Sequence, residues 1–145
     1  MLAVAQLRLL NTVHRTLLLV SGGRLGWHFA GMAVLELTTS GRRSGAPRSV
    51  MLTSPLQQGE RIVLVASRGG DDRHPDWFLN LQAQPQVRVA FAGRPVAAMS
   101  ARAASDAERA ELWPQVIAAQ PRYARYQSKT DRVIPLVLVE PERGS

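Results

Sequence analysis

The chain contains no cysteine, so disulfides, thiolate metal sites and a cysteine nucleophile are all excluded. Its three histidines, His14, His28 and His74, stand far apart, and no metal-ligand spacing joins them, so no resident metal is expected. Aromatic residues make up only 6% of the chain and are not interleaved with the basic loops, which argues against a nucleic-acid partner. No apolar run approaches the about 20 residues that span a bilayer. The N-terminus lacks the basic flank, apolar core and small-residue cleavage site of a secretory leader, so a cytoplasmic protein is expected. Also absent are a GxSxG elbow, a P-loop and a GxGxxG fingerprint, and the only adjacent carboxylates, Asp71 and Asp72, fall in a turn. With no nucleophile and no acid–base pair, the expected chemistry is that of a bound cofactor, which the protein binds, orients and shields from water.

What the chain does have is arginine. Lys+Arg number 18 against 11 Asp+Glu, a net charge of +7, and every basic residue but Lys129 is arginine. Such an excess serves solubility, or it meets an anionic partner such as a phosphorylated cofactor or an acidic membrane face. A length of 145 residues, with 46% hydrophobic and 20% charged content, describes one globular domain with a self-sufficient core.

Residues 2–20 are rich in Leu, Val and Ala, while Arg8, Asn11, Thr12 and Arg15 recur at helical spacing, which predicts an amphipathic helix with a narrow polar stripe. Its apolar surface can be buried on its own domain, on a second subunit, or at a membrane with the arginines toward headgroups. Ser21-Gly22-Gly23 stops it, and residues 1–30 are read as this helix and a connection ahead of a domain over 31–145. Residues 32–40 and 49–54 read as strands around a glycine-bracketed tip, Gly41 to Arg48. The tip's arginines, Ser44 hydroxyl and backbone N–H groups suit a phosphate as well as they suit a solvated turn. Another turn at Gln57 to Glu60 leads into a strand over 61–66, which ends in Ser67-Arg68-Gly69-Gly70-Asp71-Asp72-Arg73-His74-Pro75. A strand, a glycine-rich loop and a helix start often make a ligand site, although an ordinary surface connection has the same composition.

Pro75 suits the first helical position. On the helix that follows, Trp77 either packs in the core or faces a ligand beside Asn80, and Pro85 closes the helix. Period-two alternation over 86–91 and 96–103 predicts a hairpin. Ser105-Asp106-Ala107-Glu108 is a capping box, so a helix runs from about 106, with Pro114 at a kink or restart. Pro121 opens a turn that places Tyr123 and Tyr126 on one face, and a closing strand is expected over 133–139 with Pro135 near its start. Hairpins dominate and no βαβ alternation is present, so the expected fold is a small β-barrel with helices filling its gaps.

Three segments taken together resemble the deazaflavin-dependent nitroreductase family: Leu37-Thr38-Thr39-Ser40-Gly41-Arg42-Arg43-Ser44-Gly45; Val65-Ala66-Ser67-Arg68-Gly69-Gly70 with His74-Pro75-Asp76-Trp77-Phe78-Leu79-Asn80-Leu81; and Tyr123-Ala124-Arg125-Tyr126-Gln127 through Thr130-Asp131-Arg132-Val133-Ile134-Pro135. The resemblance implies an α+β, mainly β fold: a flavin-reductase-like split β-barrel of about six antiparallel strands with flanking helices and the N-terminal amphipathic helix. It also implies an enzyme that binds reduced coenzyme F420, with FMN as a substitute, and passes a hydride from C5 of the deazaflavin to a quinone or nitroaromatic acceptor. A non-catalytic cofactor or lipid carrier on the same barrel is the alternative.

In family terms, Arg43, Ser44 and Gly45 with Ser49, Val50, Met51 and Leu52 would hold the phosphate and side chain of the cofactor. Val65, Ala66, Ser67, Arg68 and Gly69, followed by Pro75, Trp77 and Asn80, would line its ring and tail. Tyr123 would stand over the deazaflavin as hydrogen-bond donor or proton source, with Ser67 as the other catalytic candidate and Tyr126 and Gln120 in the substrate pocket. The implied protein is a monomer or homodimer, without nucleic acid, and contact with the inner membrane face through residues 2–20 is one of the open readings of the N-terminal helix. Against the family pattern, Arg68 stands for lysine, Phe78 for tyrosine, Met51 for proline, and Gln120 for an aromatic residue of some members. F420 carries a phosphodiester, a lactyl carboxylate and a polyglutamate tail, which match arginines on two neighbouring loops.

Overall fold

The computed structural model describes residues 28–29, 32–92 and 94–142; the amphipathic helix expected over 2–20 lies outside them. Eight antiparallel strands form one sheet: β1 (His28–Phe29), β2 (Met32–Ser40), β3 (Pro47–Ser54), β4 (Leu56–Gln58), β5 (Arg61–Val65), β6 (Gln86–Ala90), β7 (Ala97–Ala103) and β8 (Leu136–Pro141). Among the described residues three α-helices, α1 (Asp76–Ala83), α2 (Asp106–Ala119) and α3 (Arg122–Ser128), cover it. The six longer strands are those the sequence predicts, and β1 and β4, of two and three residues, are additional short rungs.

The sheet runs β1-β2-β6-β7-β8-β5-β4, with β3 paired to the other edge of β2. It curls until β3 lies alongside β5, yet no ladder joins these two strands among the described residues. This is the split of the barrel. Ser54 closes its far end, where the Oγ donates to Val63 O at 2.7 Å and accepts from Gln57 Nε2 at 2.9 Å.

Alternation explains which strands have two dry faces. Val87 and Val89 of β6 point inward while Gln86 and Arg88 are exposed, as period two requires. β5 and β8 instead read as continuous apolar runs, because each is buried on both sides. Ile62, Leu64, Val137 and Val139 join Leu35, Leu37 and the α1 residues Trp77, Phe78 and Leu81 in the barrel interior. Val63, Val65, Leu136 and Leu138 face outward into a second cluster with Leu112, Val116 and Tyr123 of the helical layer.

Local differences from expectation have local causes. β3 starts at Pro47, two residues early, because Pro47 is already in register with Ser40. β8 starts at Leu136, after Pro135, and Val133 is exposed rather than part of a strand. Pro114 neither kinks nor restarts α2. It sits on the solvent face with Ala110, whose carbonyl loses its helical donor where water can replace it. Pro75 is the N-cap rather than the first helical residue of α1.

Candidate functional site

The β2–β3 tip is closed by Gly41 N–H donating to Ala46 O at 2.8 Å and Gly45 N–H donating to Gly41 O at 2.7 Å, with Gly45 at φ 74°. A Cβ on Gly41 would stand 3.0 Å from Ser44 Oγ and 3.6 Å from Arg48 Nε, so a glycine there lets hydroxyl and guanidinium crowd one side of the tip. Arg43, Ser44, Gly45, Arg48 and Ser49 are exposed. Arg43 and Arg48 form no ion pair among the described residues, which leaves two cations unneutralised at one turn. The neighbouring Arg42 points the other way. Its backbone N–H and Nη1 donate to Asn80 Oδ1 at 3.2 and 2.9 Å, and Nη2 lies 3.3 Å from Asp76 Oδ1. Asn80 Nδ2 completes the set by donating to the buried Thr39 Oγ1 at 3.1 Å. Asn80, only 4% exposed, therefore fastens the tip to α1, with both ends of its amide engaged.

After β5 the chain makes a turn in which Arg68, Gly69 and Gly70 have φ of 45°, 65° and 86°. The left-handed region is natural for glycine and strained for arginine. Gly69 is buried, yet a Cβ on it would meet nothing within 4 Å; on Gly70 a Cβ would stand 2.7 Å from Tyr126 O. The turn is thus pressed against α3 on one side. Arg132 holds it from beneath: Nε donates to Asp71 O at 2.7 Å, Nη1 to Ala66 O at 3.2 Å and Nη2 to Ser67 O at 2.8 Å. Nη1 also lies 3.1 Å from His74 Nδ1, so His74 accepts there with its proton on Nε2. Burial, aided by the Arg132 charge, holds the His74 imidazole below its ordinary pKa, and its ring packs 4.8 Å from Phe78. The two carboxylates pin the loop rather than pair with each other. Asp71 accepts from Arg73 N–H at 3.0 Å, which lowers its pKa, and Asp72 accepts from Thr130 Oγ1 at 2.8 Å.

On α3, Tyr123 and Tyr126 meet edge to face at 5.9 Å. Tyr123 is 5% exposed, and its hydroxyl donates to Met32 Sδ at 3.5 Å. Burial pushes its pKa up, so the phenol is protonated at neutral pH. Gln120 is the half-buried C-cap of α2, one turn before Tyr123.

The three segments are joined in sequence: the tip meets α1 through Asn80, the turn meets α3 through Gly70 and the residues after α3 through Arg132, and α3 meets the start of β2 through Tyr123 and Met32. Not every candidate side chain faces the same way. Val50, Leu52, Ala66 and Trp77 pack in the barrel interior, Val65 packs in the outer cluster, and Met51 is buried on the outer face. The backbone of Ala66 is engaged too, its N–H with Pro135 O at 3.0 Å. Exposed or half-buried along these segments are Arg43, Ser44, Gly45, Ser49, Ser67, Arg68 and Tyr126. Sequence reasoning passed over Arg42, Gln127 and Arg132 as organisers. All three lie inside the quoted segments; the partners of Arg42 and Arg132 are remote in the chain, while Gln127 bonds Arg132 and Ile134 close by. At the opposite end of β5 and β8, a cleft of about 440 Å³ is lined by Gln58, Glu60, Arg61, Glu140, Pro141 and Glu142, away from all of these groups.

The split antiparallel barrel with its flanking helices defines a class, the flavin-reductase-like fold. Residues 10–141 match the family model described as F420H(2)-dependent quinone reductase, and the chain belongs to that family. It is accordingly an F420H2-dependent oxidoreductase. It is 35% identical over 140 residues to the F420H(2)-dependent quinone reductase Rv1261c of Mycobacterium tuberculosis, covering 94% of this chain and 90% of that one. The solved structure of an F420-H2 dependent reductase, FDR-A, is similar at 41% identity and a TM-score of 0.65, over 74% of this chain and 93% of that one. A structure described as a domain-swapped dimer is similar at 37% identity and a TM-score of 0.68, over 89% and 96%.

Proposed function

We propose that the acceptor is a quinone and that the cofactor lies along the β3 side of the split, from the arginine tip to the Arg68–Gly70 turn. The observation that supports this reading is that Asn80 fastens the arginine tip to α1 and Arg132 fastens the glycine turn to the segment after α3. The donor set fits an anionic deazaflavin. Arg43, Arg48 and Ser44 offer charge-assisted hydrogen bonds to its phosphodiester and carboxylates, and the bare Cα of Gly69 leaves room for a flat ring to approach the backbone. When bound, reduced F420 supplies a hydride from C5. The chain's own contribution is to bind and orient the acceptor and to hold a proton at Tyr123 Oη, which would exchange its bond to Met32 Sδ for one to the oxygen that becomes anionic as a quinone is reduced. Hydride plus one proton gives the quinol, so electrons and atoms balance.

Titration of the purified protein with F420, followed by deazaflavin absorbance with a menaquinone analogue, tests the reading; no binding at about 50 µM sinks it. Binding without turnover against quinone or nitro acceptors favours the non-catalytic carrier. A nitroaromatic acceptor is the narrower proposal, read from turnover of a nitro compound under the same conditions. The apolar pattern of residues 2–20 supports a peripheral contact with the inner membrane face, where quinones dissolve. No helix among the described residues is long and apolar enough to cross a membrane. Co-sedimentation with anionic vesicles, compared between the full chain and a form lacking residues 2–20, tests that contact.

A further inference from the structure

We propose that Arg132 is the positioning residue of the cofactor turn: its guanidinium holds the Ala66–Asp71 backbone in the left-handed form that the deazaflavin meets. The proposal rests on the functional reading above. Its basis is geometric. Three carbonyls, Ala66 O, Ser67 O and Asp71 O, converge on one point from both ends of the turn, and Arg132 places Nη1, Nη2 and Nε against them at 3.2, 2.8 and 2.7 Å. Nη1 reaches His74 Nδ1 as well, so one planar fork joins the strand end, the turn and the start of the α1 approach. Without it, three carbonyl dipoles would face one another, and the left-handed Arg68 would lose what over-determines it. A lysine could not replace it, because a single ammonium cannot span the positions that a five-donor fork does.

Arg132 is itself held rigidly. Its carbonyl accepts from Gln127 Nε2 at 2.7 Å, and its N–H lies 3.3 Å from Thr130 Oγ1, the hydroxyl bound to Asp72. Gln127 Oε1 accepts from Ile134 N–H at 2.8 Å and from Arg109 Nη2 at 3.2 Å. Arg109 in turn lies 4.3 Å over the Trp113 ring. The turn is therefore tied through Arg132 to α3 and α2, and its own side chains add the long Arg68–Asp71 ion pair at 3.8 Å, the local bond of Asp71 to Arg73 N–H and the bond of Asp72 to Thr130 Oγ1.

The test uses the full chain with Arg132→Ala and Arg132→Lys. In cofactor-free protein, amide hydrogen exchange over residues 67–73 should speed up in both variants while the β5 and β8 amides keep their wild-type rates. F420 affinity should fall by about tenfold in both. At saturating F420, the KM for a menaquinone analogue should stay within about twofold of wild type. Millimolar guanidinium should restore F420 affinity to Arg132→Ala but not to Arg132→Lys, whose ammonium fills the space. Unchanged exchange over 67–73, or unchanged F420 affinity in both variants, overturns the proposal. Should Arg132→Ala fail to fold, Arg132→Lys carries the same two readouts. A wild-type protein that does not bind F420 overturns the functional reading instead, and the exchange comparison still decides whether Arg132 orders the turn.

Discussion

Asn80 shows what one amide can decide. It bridges Thr39, Arg42 and α1 from a nearly closed position. Asn80→Ala leaves Thr39 Oγ1 and the Arg42 N–H without their partner, and should cost about 1–3 kcal/mol in chemical denaturation and weaken F420 binding through a loosened tip. Tyr123→Phe removes only a hydroxyl. Turnover should slow while F420 affinity is kept, and equal turnover would retire Tyr123 as the proton source. His74 gives a pH dependence. Its folded pKa lies below its ordinary 6.5, so the unfolded or opened loop takes up a proton first. The stability of the turn is then complete above 6.5 and declines as pH falls below it, read as faster amide exchange over 67–73 in mildly acid buffer. The family resemblance suggested Tyr123, Asn80 and the glycines as site residues. It could not show that Asn80 faces Arg42 and Thr39, or that Arg132 faces Ser67, because those pairings exist only after the sheet has curled.

At the scale of the element, local patterns were read with little loss. β2 has the predicted ends, β6 and β7 form the predicted hairpin within a residue, and the Ser105–Glu108 capping box is present in both directions, at 3.1 and 2.8 Å. Each rests on information within a few positions of itself. β4 was missed because its three residues carry no period. The later start of β8 was missed because apolar Val133 and Ile134 look like strand, while the segment is shaped by Gln127 and Arg132 instead. The cap of α2 is testable. Arg102 binds Glu108 through two bonds at 2.7 and 2.9 Å, and that pairing, with the Ser105 N–H, pulls the Glu108 pKa down to about 2 from 4.5. Since the folded value is depressed, this contribution is full above 4.5 and is lost as pH falls toward 2. Ser105→Ala should cost about 1 kcal/mol at neutral pH, measured as a shift in denaturant midpoint.

Across the whole molecule, the +7 charge has a defined object only once the tip is folded. Arg43 and Arg48 share one exposed turn, so F420 affinity should fall as ionic strength rises and counterions screen them. An affinity flat from low to high salt would move the anionic tail elsewhere. The split of the barrel was implied by family resemblance rather than by periodicity, because a missing β3–β5 ladder leaves no mark on either strand's alternation. β5 and β8 have a different consequence. They lend alternate side chains to the barrel interior and to the helical layer, so neither hydrophobic cluster can dissolve without stripping a face from the same strand pair. The two layers are thereby thermodynamically coupled. Melting should be a single cooperative transition with equal calorimetric and van't Hoff enthalpies, and the Arg68–Gly70 turn, rooted at the end of β5, should keep its anchor until the whole domain gives way.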